Sequence, residues 1–275
     1  MDYETLQFEL RDHIGWLTLN RPEHLNAFTS QMIDEFRDFF SSLEDNLDVR
    51  VVVLRGAGKA FCAGLDLTAT PGYEGGMATD QGGFARFYPR GYTIPRKVAD
   101  MVLKMRQAPQ PIIASVRGTS LGGGFGIAMA ADIRVASETA RFNVGAPRIG
   151  FSAGDVGMSY FLPRLIGVSR AALYMFTSRF IDAATAERIG LVSQVVPDDQ
   201  LEQATEDLAQ ELLKISPFSL RMTKEVFYAS VDGASLLDAT KMENRTQILC
   251  SYTRDAMEAI TATFVEKRPP VYTDD

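Results

Sequence analysis

Two strand-like runs that each end in a glycine turn constrain this chain more than any other feature. The run VVVLR (51–55) leads into GAGKAFCAGLDL, with Gly64 at the centre of a small-residue turn; IIASV (112–116) leads through RGTSL into GGGFGIAMAA. Further β-rich runs at Thr5–Leu10, Ile14–Leu19 and Ile133–Ala136 alternate with helical patterns after Thr29, Pro95 and Gly122. Alternation of this kind predicts an α/β fold. In the helix after Thr29, Met32, Ile33, Phe36, Phe39, Phe40 and Leu43 recur at three- and four-residue steps beside acidic positions. That stripe marks a core face.

Beyond Pro197 the pattern changes to helices alone, so residues 1–197 are expected to form an α/β core and 198–275 a helical region. Pro217 fits the first turn of its helix with Ser216 as cap, and Gly233 separates the next pair. Amphipathic helices at this place either pack against a sister subunit or close the chain's own core. A chain of 275 residues with 46% hydrophobic content can bury such a core as one large domain or one domain with an appendage.

Composition also removes whole classes of function. A net charge of -7 without lysine or arginine clusters argues against a nucleic-acid partner. No apolar run approaches the roughly 18 residues of a membrane span, and MDYETLQFEL lacks the pattern of a secretory signal; a cytoplasmic protein is expected. Cys62 and Cys250 lie far apart and read as buried thiols. With His13 and His24 as the only histidines, no metal site is expected and a histidine-based triad has little to draw on.

The glycine triplet Gly122–Gly124 stands where a helix begins. Amide hydrogens at a helix N-terminus have no intrahelical acceptor and attract negative charge, and bare backbone lets a ligand come close. Tight helix packing would explain the same glycines. The turn around Gly64 favours the first reading, because two such turns at the ends of core strands can aim two amides at one oxygen, as an oxyanion hole does. Between them, TATPGYEGGMATDQGGFARFYPRGYTI (68–94) has no periodicity and carries Phe84, Phe87, Tyr88 and Tyr92. It reads as a lid over an apolar ligand or as a surface excursion.

Together, LNRPEHLNAF, RGAGKAFCAGLDL, VRGTSLGGGFGIAMAADIRVAS, RIGLVSQVVP and FVEKRPPVY resemble the crotonase family, the enoyl-CoA hydratase/isomerase superfamily, over essentially the whole chain. The resemblance implies a crotonase-like spiral of ββα units with a C-terminal helical trimerisation region, assembled as a homotrimer or a dimer of trimers. It implies an acyl-CoA substrate whose thioester oxygen sits between the amides of Leu65 and Gly123. It places His24, Leu25, Ala63, Asp66 and Leu67 along the nucleotide and pantetheine and Lys59 and Lys267 near the CoA phosphates, with Phe264 a further substrate-binding position. Glu23 stands where many relatives have lysine. No tightly bound cofactor is implied; coenzyme A enters as part of the substrate.

The family's hydratases use two glutamates, and the matching positions here are Gly126 and Ala146. Neither can take or give a proton, so the standard two-glutamate hydration is not expected. Some relatives carry an aspartate in a D-V-G segment, and GFSAGDVGMSYFLP supplies Asp155, one residue out of register with them. Turned towards an apolar pocket it would be an acid/base with a raised pKa; otherwise it would cap the helix that follows. Asp132, Glu243, Ser152 and Tyr160 are lesser candidates, Asp132 reading as the clasp of a strand-turn. The leading function is an acyl-CoA enzyme that stabilises a thioester enolate. The alternatives are a carbon–carbon hydrolase of a β-diketone or its CoA ester, and a catalytically silent acyl-CoA-binding protein.

Overall fold

A computed structural model describes residues 2–66 and 93–275. Leu67 and the four aromatic residues of the expected lid therefore lie outside the described residues. The main sheet has six strands: β1 (Leu6–Arg11), β2 (Ile14–Leu19), β3 (Val51–Gly56), β4 (Ile112–Val116), β6 (Ile133–Ser137) and β9 (Gln194–Val196), in the order β1-β2-β3-β4-β6-β9. The β1–β2 pair is an antiparallel hairpin, with Leu6 opposite Leu19, and every later pairing is parallel. A second sheet joins three short strands, β5 (Thr119–Leu121), β7 (Arg141–Asn143) and β8 (Ile181–Asp182). These short strands and β9 carry too few residues to show a period in the sequence.

Both faces of the main sheet are covered, which is why every residue of β2 and β4 is buried. Over one face lie α1 (Ser30–Ser42), α2 (Thr93–Gln107) and α3 (Gly123–Ala130), joined into one apolar core with Phe28, Leu54, Phe61 and Ile112. Thr29 caps α1, its hydroxyl accepting from Met32 N at 3.1 Å. The second helix begins at Thr93, two residues before Pro95, because proline is tolerated in a helix's first turn. All eight residues of α3 are buried, as the unbroken apolar run predicts.

Four further helices follow in the core region and after it: α4 (Met158–Ile166), α5 (Val168–Thr177), α6 (Ala183–Arg188) and α7 (Leu201–Leu213). The last of these seals the other face of the main sheet, setting Leu201 and Ala209 over Trp16, Val53, Ile113 and Val135. Then come α8 (Pro217–Val231), α9 (Leu236–Ser251), α10 (Arg254–Ile260) and a π-helical turn at Thr261–Glu266. Ser216 accepts from Ser219 N at 3.4 Å as the cap of α8.

A buried clasp ties α8 to the sheet. Lys224 Nζ donates to Asp132 Oδ2 and to the Gln110 carbonyl, both at 2.8 Å, and Asp132 also accepts from Tyr228 OH at 2.6 Å and Ile112 N at 2.7 Å. Burial lowers the Lys224 pKa and the facing Asp132 opposes that shift. A charge that is paired and fully hydrogen-bonded is the only kind that can be buried at tolerable cost. Asp132 is thus a structural clasp, as its strand-turn setting suggested.

The remaining C-terminal helices bury little. Ala239 is the only buried residue of α9, while Leu236, Leu237, Ile248, Tyr252, Phe264 and Val265 are exposed. Cys62 is buried as expected, but Cys250, on α9, is only half-buried for the same reason. No helix among the described residues is long and apolar enough to cross a membrane.

Candidate active site

The two glycine turns lie against each other. Leu121 N donates to the Cys62 carbonyl at 2.9 Å, Cys62 N to the Thr119 carbonyl at 3.1 Å, and Cys62 bridges to Ser120 as in a parallel sheet. The 62–66 segment is held on its other side by Phe28, whose N–H donates to the Gly64 carbonyl at 2.7 Å while its carbonyl accepts from Asp66 N at 2.9 Å. In that parallel bridge the Leu65 N–H is left over. The Gly123 N–H, first of α3, has no intrahelical acceptor. Among the described residues neither amide donates a hydrogen bond.

Each glycine of the triplet has a different physical reason. Gly122, at φ +48, adopts a conformation few other residues tolerate. At Gly124 a Cβ would come within 2.3 Å of the Cys62 carbonyl oxygen, so this glycine serves close packing. Gly123 presents its free N–H beside Gly64, whose own Cβ position would lie 3.3 Å from Gly123 N and 2.9 Å from the Leu121 carbonyl oxygen. Close packing and an open amide, alternatives in the sequence, therefore occupy neighbouring residues.

One turn further along α3, about 4.5 Å of rise, Gly126 faces the Asp155 segment. A Cβ at Gly126 would lie 2.6 Å from Val156 Cγ1, so no side chain fits there. Ala146 opens the 3₁₀ turn Ala146–Ile149, and the preceding Gly145 packs towards Gly122, its Cβ position 3.6 Å from Gly122 N. Neither position offers a titratable group.

Asp155 does not cap α4; the capping position is Gly157, at φ +75, without a side-chain hydrogen bond. The Asp155 carboxylate instead accepts from Val156 N at 2.9 Å, and its carbonyl accepts from Met158 N at 2.9 Å. The side chain is open to solvent, yet enough protein crowds the carboxyl that burial raises its pKa, opposed by the Val156 N–H. It stands in a depression of about 370 Å³ that Arg96, Ala99, Gly154 and Ser159 help to line. This is within the size range of small-molecule sites.

A larger depression, about 540 Å³, lies between Arg254, Glu258, Arg268 and Val271 in the C-terminal region. Its charges are mutually satisfied: Arg268 pairs with Glu258 and Glu266, and Arg254 with Asp275. Hydrogen bonds from Arg268 and Val271 N hold the Glu258 carboxyl down to about 2. Such a group is spoken for, and the smaller depression, which holds Asp155, is the better candidate.

The other candidates divide. His24 is exposed on a single 3₁₀ turn, Pro22–His24; Leu25 follows at φ +50 and its carbonyl accepts from Ala63 N at 3.0 Å, which docks this turn on the Gly64 turn. Asp66 is buried and paired with Arg21 at 3.1 Å. Lys59 is exposed. Phe264 is exposed on the terminal π-helical turn and Lys267 just after it, and among the described residues no hydrogen bond or ion pair joins them to the 22–26 or 59–66 turns. Ser152 accepts from Gly154 N at 3.0 Å and shapes the turn. Tyr160 stacks under Arg164, Glu243 is exposed on α9. Burial pushes the Cys62 thiol up to about 12, which leaves it inert.

Sequence reasoning missed Asn26. Its buried amide donates to the carbonyls of Ala57 and Ala60 at 2.9 Å and of Phe61 at 3.2 Å, and accepts from Arg21 N. One side chain thereby fixes the approach to the Gly64 turn. Its signal was slight: an asparagine shortly after the Pro22–His24 turn, at a position that turns out to have φ +56.

A family model described as enoyl-CoA hydratase/isomerase matches residues 9–275. Among named proteins, the chain is similar to probable enoyl-CoA hydratase EchA12 of Mycobacterium tuberculosis, 36% identical over 267 residues that cover 96% of this chain and 91% of that one. It is also 34% identical to probable enoyl-CoA hydratase echA8 of Mycobacterium bovis, covering 99% of both. The fold is similar to enoyl-CoA hydratase from Bacillus anthracis, with a TM-score of 0.89 at 29% identity over 99% of this chain and 100% of that one. It is similar too to a monofunctional enoyl CoA isomerase from M. smegmatis, with a TM-score of 0.70 at 33% identity over 86% and 98%.

Proposed function

Because the chain belongs to the enoyl-CoA hydratase/isomerase family, we propose that it moves a proton between carbons of an unsaturated acyl-CoA, with Asp155 as acid and base and the amides of Leu65 and Gly123 as oxyanion donors. In the first step the Asp155 carboxylate takes a proton from the saturated carbon α to the thioester carbonyl, or from the γ carbon of an α,β-unsaturated thioester. The electron pair passes to the thioester oxygen, where the two N–H groups stabilise the enolate. In the second step the protonated Asp155, its proton exchanged with solvent through the open side of the depression, delivers a proton to another carbon and the double bond settles in a new position. No water is consumed, which is why one carboxylate suffices.

The observation that carries this reading is the packing of the Gly64 turn on the first residues of α3, which leaves two amides unclaimed, with the turn after Asp155 packed on Gly126 one helical turn further along. Gly126 and Ala146 weigh against hydration, since a second proton carrier is missing at both. Coenzyme A enters as part of the substrate, bound along His24, Leu25, Ala63 and Asp66 with Lys59 near its phosphates, and no tightly bound cofactor is needed. Leu67 belongs to the same proposed contact, outside the described residues.

Isomerisation predicts a labelling pattern. In deuterated water, a panel of unsaturated and 3-oxo acyl-CoAs analysed by mass spectrometry should yield products carrying carbon-bound deuterium without added water. Net addition of water would instead favour hydration or carbon–carbon hydrolysis. Binding without exchange across the panel would favour the silent acyl-CoA-binding protein.

We further propose that the exposed apolar faces of α9 and the terminal segment pack on other copies in a homotrimer or a dimer of trimers. Leu236 is 82% exposed, Tyr252 84% and Val265 74%, more apolar surface than single chains usually leave in water. Light scattering on the purified protein should return three or six chain masses; a monomer at micromolar concentration would sink the assembly.

A further inference from the structure

Position 126 and the turn after Asp155 are interlocked. A Cβ on Gly126 would lie 2.6 Å from Val156 Cγ1, 2.7 Å from the Val156 carbonyl oxygen and 2.8 Å from Val156 Cβ. Side chain and backbone of Val156 thus both occupy the space into which a residue at 126 would project. Val156 is 3% exposed and belongs to the main core, so it cannot swing outward without opening that core.

Val156 also has φ +48. A β-branched residue is rarely found there, because its Cβ crowds the backbone, and such a conformation persists only where the surroundings over-determine it. Here Val156 N donates to Asp155 Oδ1 at 2.9 Å, Met158 N to the Asp155 carbonyl at 2.9 Å, and the Val156 side chain is seated on α3. The left-handed step turns the chain so that the valine points into the core while the residue before it stays at the depression.

We infer that Val156 is a positioning residue: wedged over Gly126 in a left-handed conformation, it fixes the turn that presents the Asp155 carboxylate to the depression. The inference rests on the reading of Asp155 as the acid/base group. It adds that 126, 155 and 156 act as one unit, in which an empty position on the helix is the condition for a placed carboxylate on the turn.

Two variants test it. Gly126→Ala forces the turn away from α3, and Val156→Gly removes the wedge while leaving a residue that accepts φ +48 freely. Each should lower kcat for deuterium exchange at least tenfold with KM within about twofold, and should shift the acidic limb of the kcat–pH profile downward as the Asp155 carboxyl leaves the protein that crowds it. In Gly126→Ala/Val156→Gly two of the three close contacts vanish, and part of the loss should be recovered.

The same shift can be read without turnover, by carbon-13 titration of Asp-labelled protein with the Asp155 signal assigned from Asp155→Asn. A lower midpoint in Val156→Gly supports the inference; a midpoint and kcat equal to those of the parent overturn it, even if Gly126→Ala does not fold. Full exchange activity in Asp155→Asn would instead overturn the acid/base reading, whatever Val156 does to the titration.

Discussion

Asp155→Asn is expected to lower kcat for proton exchange by about 10²–10⁴-fold, the range over which a positioned acid/base acts. KM for the acyl-CoA should change little, because the proposed oxyanion donors are backbone amides and the proposed CoA contacts lie on other turns. A loss confined to kcat is the signature of an interaction made only at the reacting centre. In the parent protein activity should rise with pH as Asp155 loses its proton, with a midpoint above the ordinary aspartate value of about 3.9, since burial raises this carboxyl. A bound acyl chain that displaces water should raise it further.

The same variant has a stability signature of opposite sign. Because the folded-state pKa of Asp155 is raised, the folded chain holds the proton more tightly than the unfolded one, and stability falls as pH rises between the two pKa values. Above that window the ionised carboxylate is a standing penalty. Asn carries none, so Asp155→Asn should melt at a higher temperature than the parent at neutral pH, and the advantage should vanish once the pH falls below the unfolded pKa. An inactive but stabilised protein is what a group kept for chemistry should leave behind. Parental exchange rates in this variant would remove Asp155 from the mechanism.

Gly64→Ala should be nearly as damaging, through geometry alone. The new methyl would meet the Leu121 carbonyl oxygen at 2.9 Å and Gly123 N at 3.3 Å, at a backbone angle of φ +89 that alanine resists. The two turns must then separate, at a stability cost of roughly 1–2 kcal/mol, and the proposed donors would lose the common target assigned to them. Losing one oxyanion donor costs about 10²–10³ in kcat, so a drop of at least that size is expected in a protein whose far-ultraviolet spectrum is unchanged. Replacing the Leu65 amide by an ester removes the same donor without adding an atom and should reproduce the loss. Near-parental kcat in both proteins would dispose of the oxyanion hole.

Much of this molecule was legible in order along the chain. The runs at Ile14–Leu19 and Ile112–Val116 are the strands β2 and β4 residue for residue, the phenylalanine stripe is the buried face of α1, and Ser216 and Pro217 open α8. Such features are written in neighbouring residues, because a strand or an amphipathic helix repeats its pattern every two or every three to four positions. The segments LGGGFGIAMAAD and AGLDL carry the family resemblance for a related reason: a turn that exposes backbone needs its glycines close together.

Other features depend on residues that meet only after folding. Nothing in the spelling of NAF says that the Asn26 amide will hold three carbonyls of the 57–61 segment, nor does the two- to three-residue length of β5, β7, β8 and β9 give a period to detect. The aspartate of GDVG could as readily have capped a helix as lined a depression; the left-handed Val156 pressed on Gly126, thirty residues earlier in the chain, decided it. The sequence alone determined an α/β chain with two bare turns at strand ends and the helical run after Pro197. Only the tertiary structure could bring those turns to one place and give Asp155 its surroundings, because steric exclusion and desolvation act between atoms in contact, whatever their distance along the chain.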